Sequence, residues 1–269
     1  MIIYKTKEEI EIIRENCVLV GKTLGLVASL IKPGISGLEI DKKAEEFIRD
    51  HGAVPGFKGY NGFPATLCVS PNQCVVHGIP GDKVFEDGDI VSVDCGVYNN
   101  DYFGDAAYTF ALGDVDERKM ELLRVTNTSL YKGIEMAVIG GRLGDIGWAI
   151  QDYTEKQHGY GVVRELVGHG LGRNLHEKPE VPNYGRRGRG AQLKEGLVIA
   201  IEPMINLGTK SVRSSRDGWT IETADKSISA HYEHTIAITK TGPDILSSHD
   251  YVVDAIKNNV EIKEVSIKK

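Results

Sequence analysis

Residues 86–94 read EDGDIVSVD and residues 194–202 read KEGLVIAIE. Each runs from a charged residue through an acid and a glycine into a short strand-like stretch, and each closes on a carboxylate, Asp94 or Glu202. Those two acids lie 108 residues apart, and a spacing of 107 relates Gly34 to Gly141, Gly37 to Gly144, His51 to His158 and Gly52 to Gly159. Two sets of matches at nearly identical spacings mark an internal duplication. Duplicated halves usually fold about a pseudo-two-fold axis, so the closing carboxylates are expected to approach each other across it. Acids gathered on an axis suggest a metal.

At 269 residues the chain has room for one large domain or two small ones, and the duplication favours one. The expected layout is a single catalytic domain over residues 1–249, with pseudo-repeat halves at 6–112 and 113–240, and a C-terminal tail over 250–269. The net charge of −6, from 38 acids against 32 bases, gives no sign of DNA binding. Cys17, Cys68, Cys74 and Cys95 show no CxxC spacing, which reads as a reducing, cytoplasmic setting. Charge from Lys5 onward breaks any signal-peptide core, and no apolar run reaches 18 residues, so neither export nor a membrane span is expected. A monomer is the expected state.

Thr6 to Glu9 and Ser36 to Glu39 are capping boxes. They predict a long amphipathic helix carrying Ile10, Ile13, Cys17, Val20, Leu24 and Val27, stopped at Pro33-Gly34, and a second helix ending at Gly52. In the second half a helix is predicted from a cap at Asp114 to about Val138, and another over 145–158. Strands are predicted at 89–97 and 102–112, joined by a tight turn at Asn99-Asn100, and at 197–202, 219–223 and 228–239. Helices packed on mainly antiparallel strands make an α+β fold.

A turn at Asn99-Asn100 would place Asp94 directly opposite Asp105, with Cβ atoms about 4.5–5.5 Å apart; a turn at Asn100-Asp101 would move the pair to a diagonal on the same face, and a three-residue loop would break the pairing. A lone strand aspartate usually faces solvent, but Asp94 follows Ile90-Val91-Ser92-Val93 and Glu202 follows Leu197-Val198-Ile199-Ala200-Ile201, runs that read as buried. Buried acids need partners. Glu233, within His231-Tyr232-Glu233-His234, stands on the strand corresponding to that of Asp105, giving two carboxylates per half. The glycine-rich stretch Gly168-His169-Gly170-Leu171-Gly172-Arg173-Asn174-Leu175-His176 adds imidazoles. Four carboxylates and an imidazole suit two divalent ions such as Mn, Fe, Co or Zn, and so oxygen-rich a set argues against a structural zinc. His77 taken alone reads equally well as a core or loop histidine.

Seven segments together resemble methionine aminopeptidases of type I: Asn61-Gly62-Phe63-Pro64, Val76-His77-Gly78-Ile79-Pro80, residues 89–94, Phe103-Gly104-Asp105, Gly168-His169-Gly170-Leu171-Gly172, Ile201-Glu202-Pro203 and Tyr232-Glu233-His234-Thr235. The resemblance runs from about Tyr4 to Leu246 and implies the pita-bread fold, with two helix-helix-strand halves around a curved antiparallel sheet. It implies Asp94, Asp105, His169, Glu202 and Glu233 as metal ligands, with Asp105 and Glu233 bridging both ions. The implied activity removes N-terminal methionine from nascent polypeptides when the second residue is small, by attack of a metal-held hydroxide on the first peptide bond. Glu202 would carry the proton, His176 would contact the scissile amide, and His77 would lie near the substrate's amine or the leaving nitrogen. Phe57, Tyr60, Phe63, Cys68, His77, Leu175 and Trp219 would enclose the methionine side chain.

Leu175 stands where the family often has an aromatic ring, and Phe57 where a smaller residue is common. His231 is a further departure, read either as a donor behind the metal or as an exposed edge residue. The short interval from His176 to Glu202 excludes the helical insertion of type II members, and no zinc-binding extension is expected before Thr6. The loop Gly185-Arg186-Arg187-Gly188-Arg189-Gly190 reads as a solvated loop, with ribosome contact as the alternative. The rival readings are an Xaa-Pro aminopeptidase or prolidase, which usually carry a large N-terminal domain, and a non-catalytic peptide- or RNA-binding relative, which would typically have lost ligands.

Overall fold

The computed structural model describes residues 1–265. Helix α1 (Lys7–Leu30) starts at the first capping box: Thr6 Oγ1 accepts the Glu9 N–H and the Glu9 carboxylate accepts the Thr6 N–H. Ser36 and Glu39 do the same for α2 (Gly37–Asp50). The apolar stripe of α1, including Ile13, Cys17, Val20 and Leu24, is fully buried.

Strands β1 (Leu67–Pro71), β2 (Ile90–Asn99) and β3 (Tyr102–Ala111) are antiparallel, with β2 between the other two. Of the turns open to the sequence, the structure takes the second and not the first. Asn100 and Asp101 carry φ of 49° and 65°, so they form the two-residue turn, and Asn99 pairs with Tyr102. Asp94 therefore pairs with Ala107, and Asp105 with Gly96, which leaves the two carboxylates diagonal on one face instead of directly opposed.

Helix α3 (Glu117–Glu135) is capped by Asp116, whose side chain accepts the N–H groups of Arg118 and Lys119. Its cap lies two residues after the predicted one at Asp114, and it stops short of Val138. Helix α4 (Leu143–Gln151) begins where Asp145 accepts the Arg142 N–H at 2.8 Å, and the chain continues as a π-helical turn over Asp152–Gln157. The basic loop is stitched against this helix: Gly188 N–H donates to Asp145 and the Arg187 guanidinium lies 4.6 Å from the Trp148 ring centre.

Beyond it lie β4 (Gly168–Gly170), β5 (Glu177–Val181), β6 (Val198–Ile201), β7 (Met204–Asn206), β8 (Ser229–His231), β9 (His234–Thr239) and β10 (Gly242–Ile245). Five of them form an antiparallel sheet in the order β10-β9-β6-β4-β5. Strand β6 lies between β4 and β9 as β2 lies between β1 and β3, so the duplication is visible in the pairing. The predicted strand at 228–239 is broken at Tyr232-Glu233 into β8, which pairs with β7, and β9, which pairs with β6. Only Ile221–Thr223 of the predicted strand at 219–223 is extended, paired with Val212–Ser214 and Cys74–Val76.

The halves meet along β3. Glu233 N–H donates to Ala107 O at 3.0 Å, Thr235 Oγ1 to Asp105 O at 2.8 Å, and Tyr232 Oη to Thr109 O at 3.0 Å. Residues after the repeat are built into the first half. Helix α5 (Asp250–Ile256) packs on α1 with Val252 and Ile256 buried, and Asn259 Nδ2 donates to Ala28 O and Ile31 O, two carbonyls at the open end of α1. The last four residues of the predicted tail, 266–269, lie outside the described residues. The architecture is α+β, and all four cysteines are buried and free. No helix among the described residues is long and apolar enough to cross a membrane.

Candidate metal centre

Each half delivers two carboxylates to the seam. On the first side they are Asp94 of β2 and Asp105 of β3. On the second, Ile201 pairs with His234, and Glu202 and Glu233 are the residues just past that pair on their two strands. Glu233 occupies the break between β8 and β9, pinned to β3 by its bond to Ala107 O. His169 projects from the middle of β4, with Nδ1 3.0 Å from Gly170 O. That carbonyl can only accept, so Nδ1 carries the proton and the Nε2 lone pair is left for another partner. Nε2 lies 3.8 Å from Asp105 Oδ2 and 3.6 Å from Glu202 Oε1. Asp105, His169 and Glu233 each offer a ligand atom, all within 4.8 Å of one another.

Burial sets the charge state of this cluster in the absence of metal. It raises Asp94 to about 7 and Glu202 to about 8, and with the neighbouring carboxylates it holds Asp105 and Glu233 well above the ordinary range. It lowers His169 to about 3. The contacts of His169 with Asp105 and Glu202 are therefore not ion pairs near neutral pH, because the imidazole is neutral. Asp94 Oδ1, Asp105 Oδ1 and Glu233 Oε1 are buried with no hydrogen-bond partner among the described residues. Orphaned carboxylate oxygens around one neutral imidazole suit divalent cations such as Mn, Fe, Co or Zn. The donor set fits the metal that the sequence led us to expect.

This arrangement makes the metal-free protein sensitive to pH. A carboxyl whose folded value is raised contributes stability that is complete below its unfolded value and is lost as pH rises through the folded one. The depressed histidines act in the opposite sense, losing stability only as pH falls below about 6.5. From about pH 6.5 to about pH 8 only the carboxyl loss operates, carried by Asp94 and Glu202 together with the still more strongly raised Asp105 and Glu233. We expect the urea midpoint of the metal-free protein to fall across that window and a divalent ion to reverse the fall. A rising midpoint without metal would contradict a buried acid cluster.

The cluster forms one end of a cavity of about 240 Å³, and every site residue expected from the sequence lines it. Phe57 fits beneath Gly96, where a Cβ would meet the Phe57 ring at 2.4 Å, so β2 makes room for the larger side chain. Phe63 and Trp219 meet edge to face at 5.2 Å, and Leu175 is buried beside them. Cys68 pairs with Asp94 across β1 and β2, and burial with the nearby acids pushes its thiol well above the usual range, so it is a neutral wall and not a nucleophile. His176 Nδ1 lies 3.0 Å from Tyr60 Oη, and its ring meets that of His169 at 4.3 Å. His77 adopts a left-handed φ of 57°, held by Gly78, whose Cβ position is 2.1 Å from Val69 O. Burial lowers its pKa to about 4.

One residue escaped the sequence reading, and for another the sequence allows two readings. Asn61, with φ of 49°, also lines the cavity, and the only signal for it was its place in the Asn-Gly-Phe-Pro segment. His231 is 1% exposed and its Nε2 lies 3.5 Å from Glu202 Oε2, so it is not an exposed edge residue.

Comparison with known proteins agrees with this geometry. The profile of metallopeptidase family M24 matches residues 11–240. A methionine aminopeptidase of Clostridium acetobutylicum is 52% identical over 248 residues, covering 92% of this chain and 99% of that one. The crystal structure of methionine aminopeptidase from Rickettsia prowazekii superposes with a TM-score of 0.90 at 42% identity, covering 92% of this chain and 100% of that chain. The prolidase from Pyrococcus furiosus gives 0.73 at 26% identity, and the match takes in 91% of this chain but 65% of the prolidase. A chain with these four carboxylates, this imidazole and this degree of identity belongs to metallopeptidase family M24 and, within it, to the methionine aminopeptidases.

Proposed function

We propose that this protein releases N-terminal methionine from nascent polypeptides whose second residue is small, acting as a monomer in the cytoplasm. Asp94, Asp105, His169, Glu202 and Glu233 are the ligands in this reading, holding two ions drawn from Mn, Fe, Co or Zn. The observation that carries it is a buried cluster of four carboxylates and one neutral imidazole that opens into an aromatic-walled cavity. Divalent ions held by such a set supply Lewis acidity toward a peptide carbonyl and lower the pKa of water.

Glu202 takes the proton of the attacking water and passes it to the leaving nitrogen. His176, oriented by Tyr60 Oη, faces the scissile amide, and His77 is neutral near pH 7 and so presents one donor and one acceptor near the substrate's amine. Phe57, Tyr60, Phe63, Cys68, Leu175 and Trp219 hold the methionine side chain, whose flexible thioether packs well against aromatic edges. The loop bearing Arg186, Arg187 and Arg189 is the basic surface available for the ribosome, although Arg187 is already engaged with Trp148.

Purified protein supplied with Mn, Fe or Co should release Met from Met-Ala-Ser and spare Met-Phe-Ser. Absence of Met release with all three ions would reject the reading, and faster cleavage of Xaa-Pro peptides would favour a prolidase-like one.

A further inference from the structure

The two oxygens of Glu202 face different imidazoles. Oε1 is 3.6 Å from His169 Nε2, and Oε2 is 3.5 Å from His231 Nε2. His231 Nε2 is buried and has no hydrogen-bond partner among the described residues. We infer that His231 is a positioning residue for Glu202, its Nε2–H directed at Oε2 so that Oε1 stays turned toward His169 and the metal. This rests on the reading of Glu202 as a ligand.

The backbone of His231 is held well enough for that task. Its N–H donates to Thr109 Oγ1 at 3.1 Å, the Thr109 hydroxyl donates back to His231 O at 2.6 Å, and Ser92 Oγ lies 2.8 Å from the same hydroxyl. Strand pairing sets His231 opposite Met204, two residues beyond Glu202. The ring thus stands on β8, itself bonded to β3 and β7, the elements that flank the cluster. As a metal ligand Glu202 is a carboxylate that only accepts, so the ring nitrogen facing its Oε2, Nε2, is the one that donates. A ligating carboxylate fixed at one oxygen can swing about its end; a donor on the other oxygen removes that freedom and orients the lone pair that binds metal.

The test compares the parent with His231→Leu, which fills the space without a donor, and His231→Gln, whose amide can donate. Thermal unfolding of the metal-free proteins controls for folding. Co(II) affinity is read by titration calorimetry and by the visible absorption of bound Co(II), and Met-Ala-Ser kinetics are read as kcat and KM separately. His231→Leu is expected to weaken one Co(II) site by about 10–100-fold, the usual effect of losing a partner behind a ligand, and to lower kcat with KM nearly unchanged. His231→Gln is expected to recover most of the Co(II) affinity and absorption. A folded His231→Leu protein that binds Co(II) as the parent does overturns the inference, as does a folded His231→Gln protein no better than His231→Leu. A parent that binds no Co(II) fails at the earlier step, because Glu202 is then no ligand.

Discussion

Glu202→Gln is expected to abolish Met release, lowering kcat for Met-Ala-Ser by about 1,000-fold or more while the protein remains folded. The magnitude follows from losing a general base, typically worth about 10²–10⁴-fold, together with one negative charge at the metal. Glutamine matches glutamate in shape, so the cavity and the contact toward His231 survive in outline. The stability effect should run in the other direction. Burial already raises Glu202 to about 8, which means that the metal-free fold disfavours its charge, and a neutral amide removes that burden above about pH 8. Metal-free Glu202→Gln should therefore unfold no more easily than the parent at alkaline pH. Activity assays paired with thermal unfolding separate a lost base from a lost fold, and an active variant would remove Glu202 from the mechanism.

Glu233→Gln is expected to have a comparably large effect through metal retention. Glu233 is 2% exposed, its Oε1 has no partner among the described residues, and it shares a ligand cluster with Asp105 and His169. Loss of a partner behind a ligand already costs about 10–100-fold in affinity, so exchange of Glu233, if it bridges the ions as proposed, should cost more than about 100-fold. Met release should then fall to background at metal concentrations that saturate the parent. Because the Glu233 backbone bond to Ala107 does not involve the side chain, the seam between the halves should persist. Dialysis against metal followed by elemental analysis measures the loss; a variant that keeps the parent's full metal content would show that Glu233 is not a bridging ligand.

What was legible in the sequence was what local chemistry decides. The capping boxes at Thr6 and Ser36 and the buried runs ending at Asp94 and Glu202 all formed, because side-chain spacing within a few residues sets them. The hairpin turn was displaced because Asn99, Asn100 and Asp101 are all residues that turns accept; the chain adopts positive φ at Asn100 and Asp101. With the turn there, Asp94 pairs with Ala107 and Asp105 with Gly96, so the two carboxylates stand diagonal on one face.

Other features depend on partners distant in the chain. Strand 228–239 reads as continuous, yet it breaks at Glu233 because that residue bonds to β3 of the other half. Helix α5 carries no motif and is placed by its apolar contacts with α1 and by Asn259 at the end of α1. For His231 the sequence leaves a donor behind the metal and an exposed edge residue both open, since its neighbour Glu202 lies on a different strand.

The central claim is that these five side chains hold the metal that cleaves the substrate, and simultaneous measurement of metal content and Met release tests it most directly. Protein purified without added metal, stripped with a chelator and titrated with Co(II) or Mn(II) should regain Met-Ala-Ser cleavage in step with binding, reaching about two ions per chain. Undiminished Met release from fully stripped protein, or ions bound with no gain in cleavage, would contradict it.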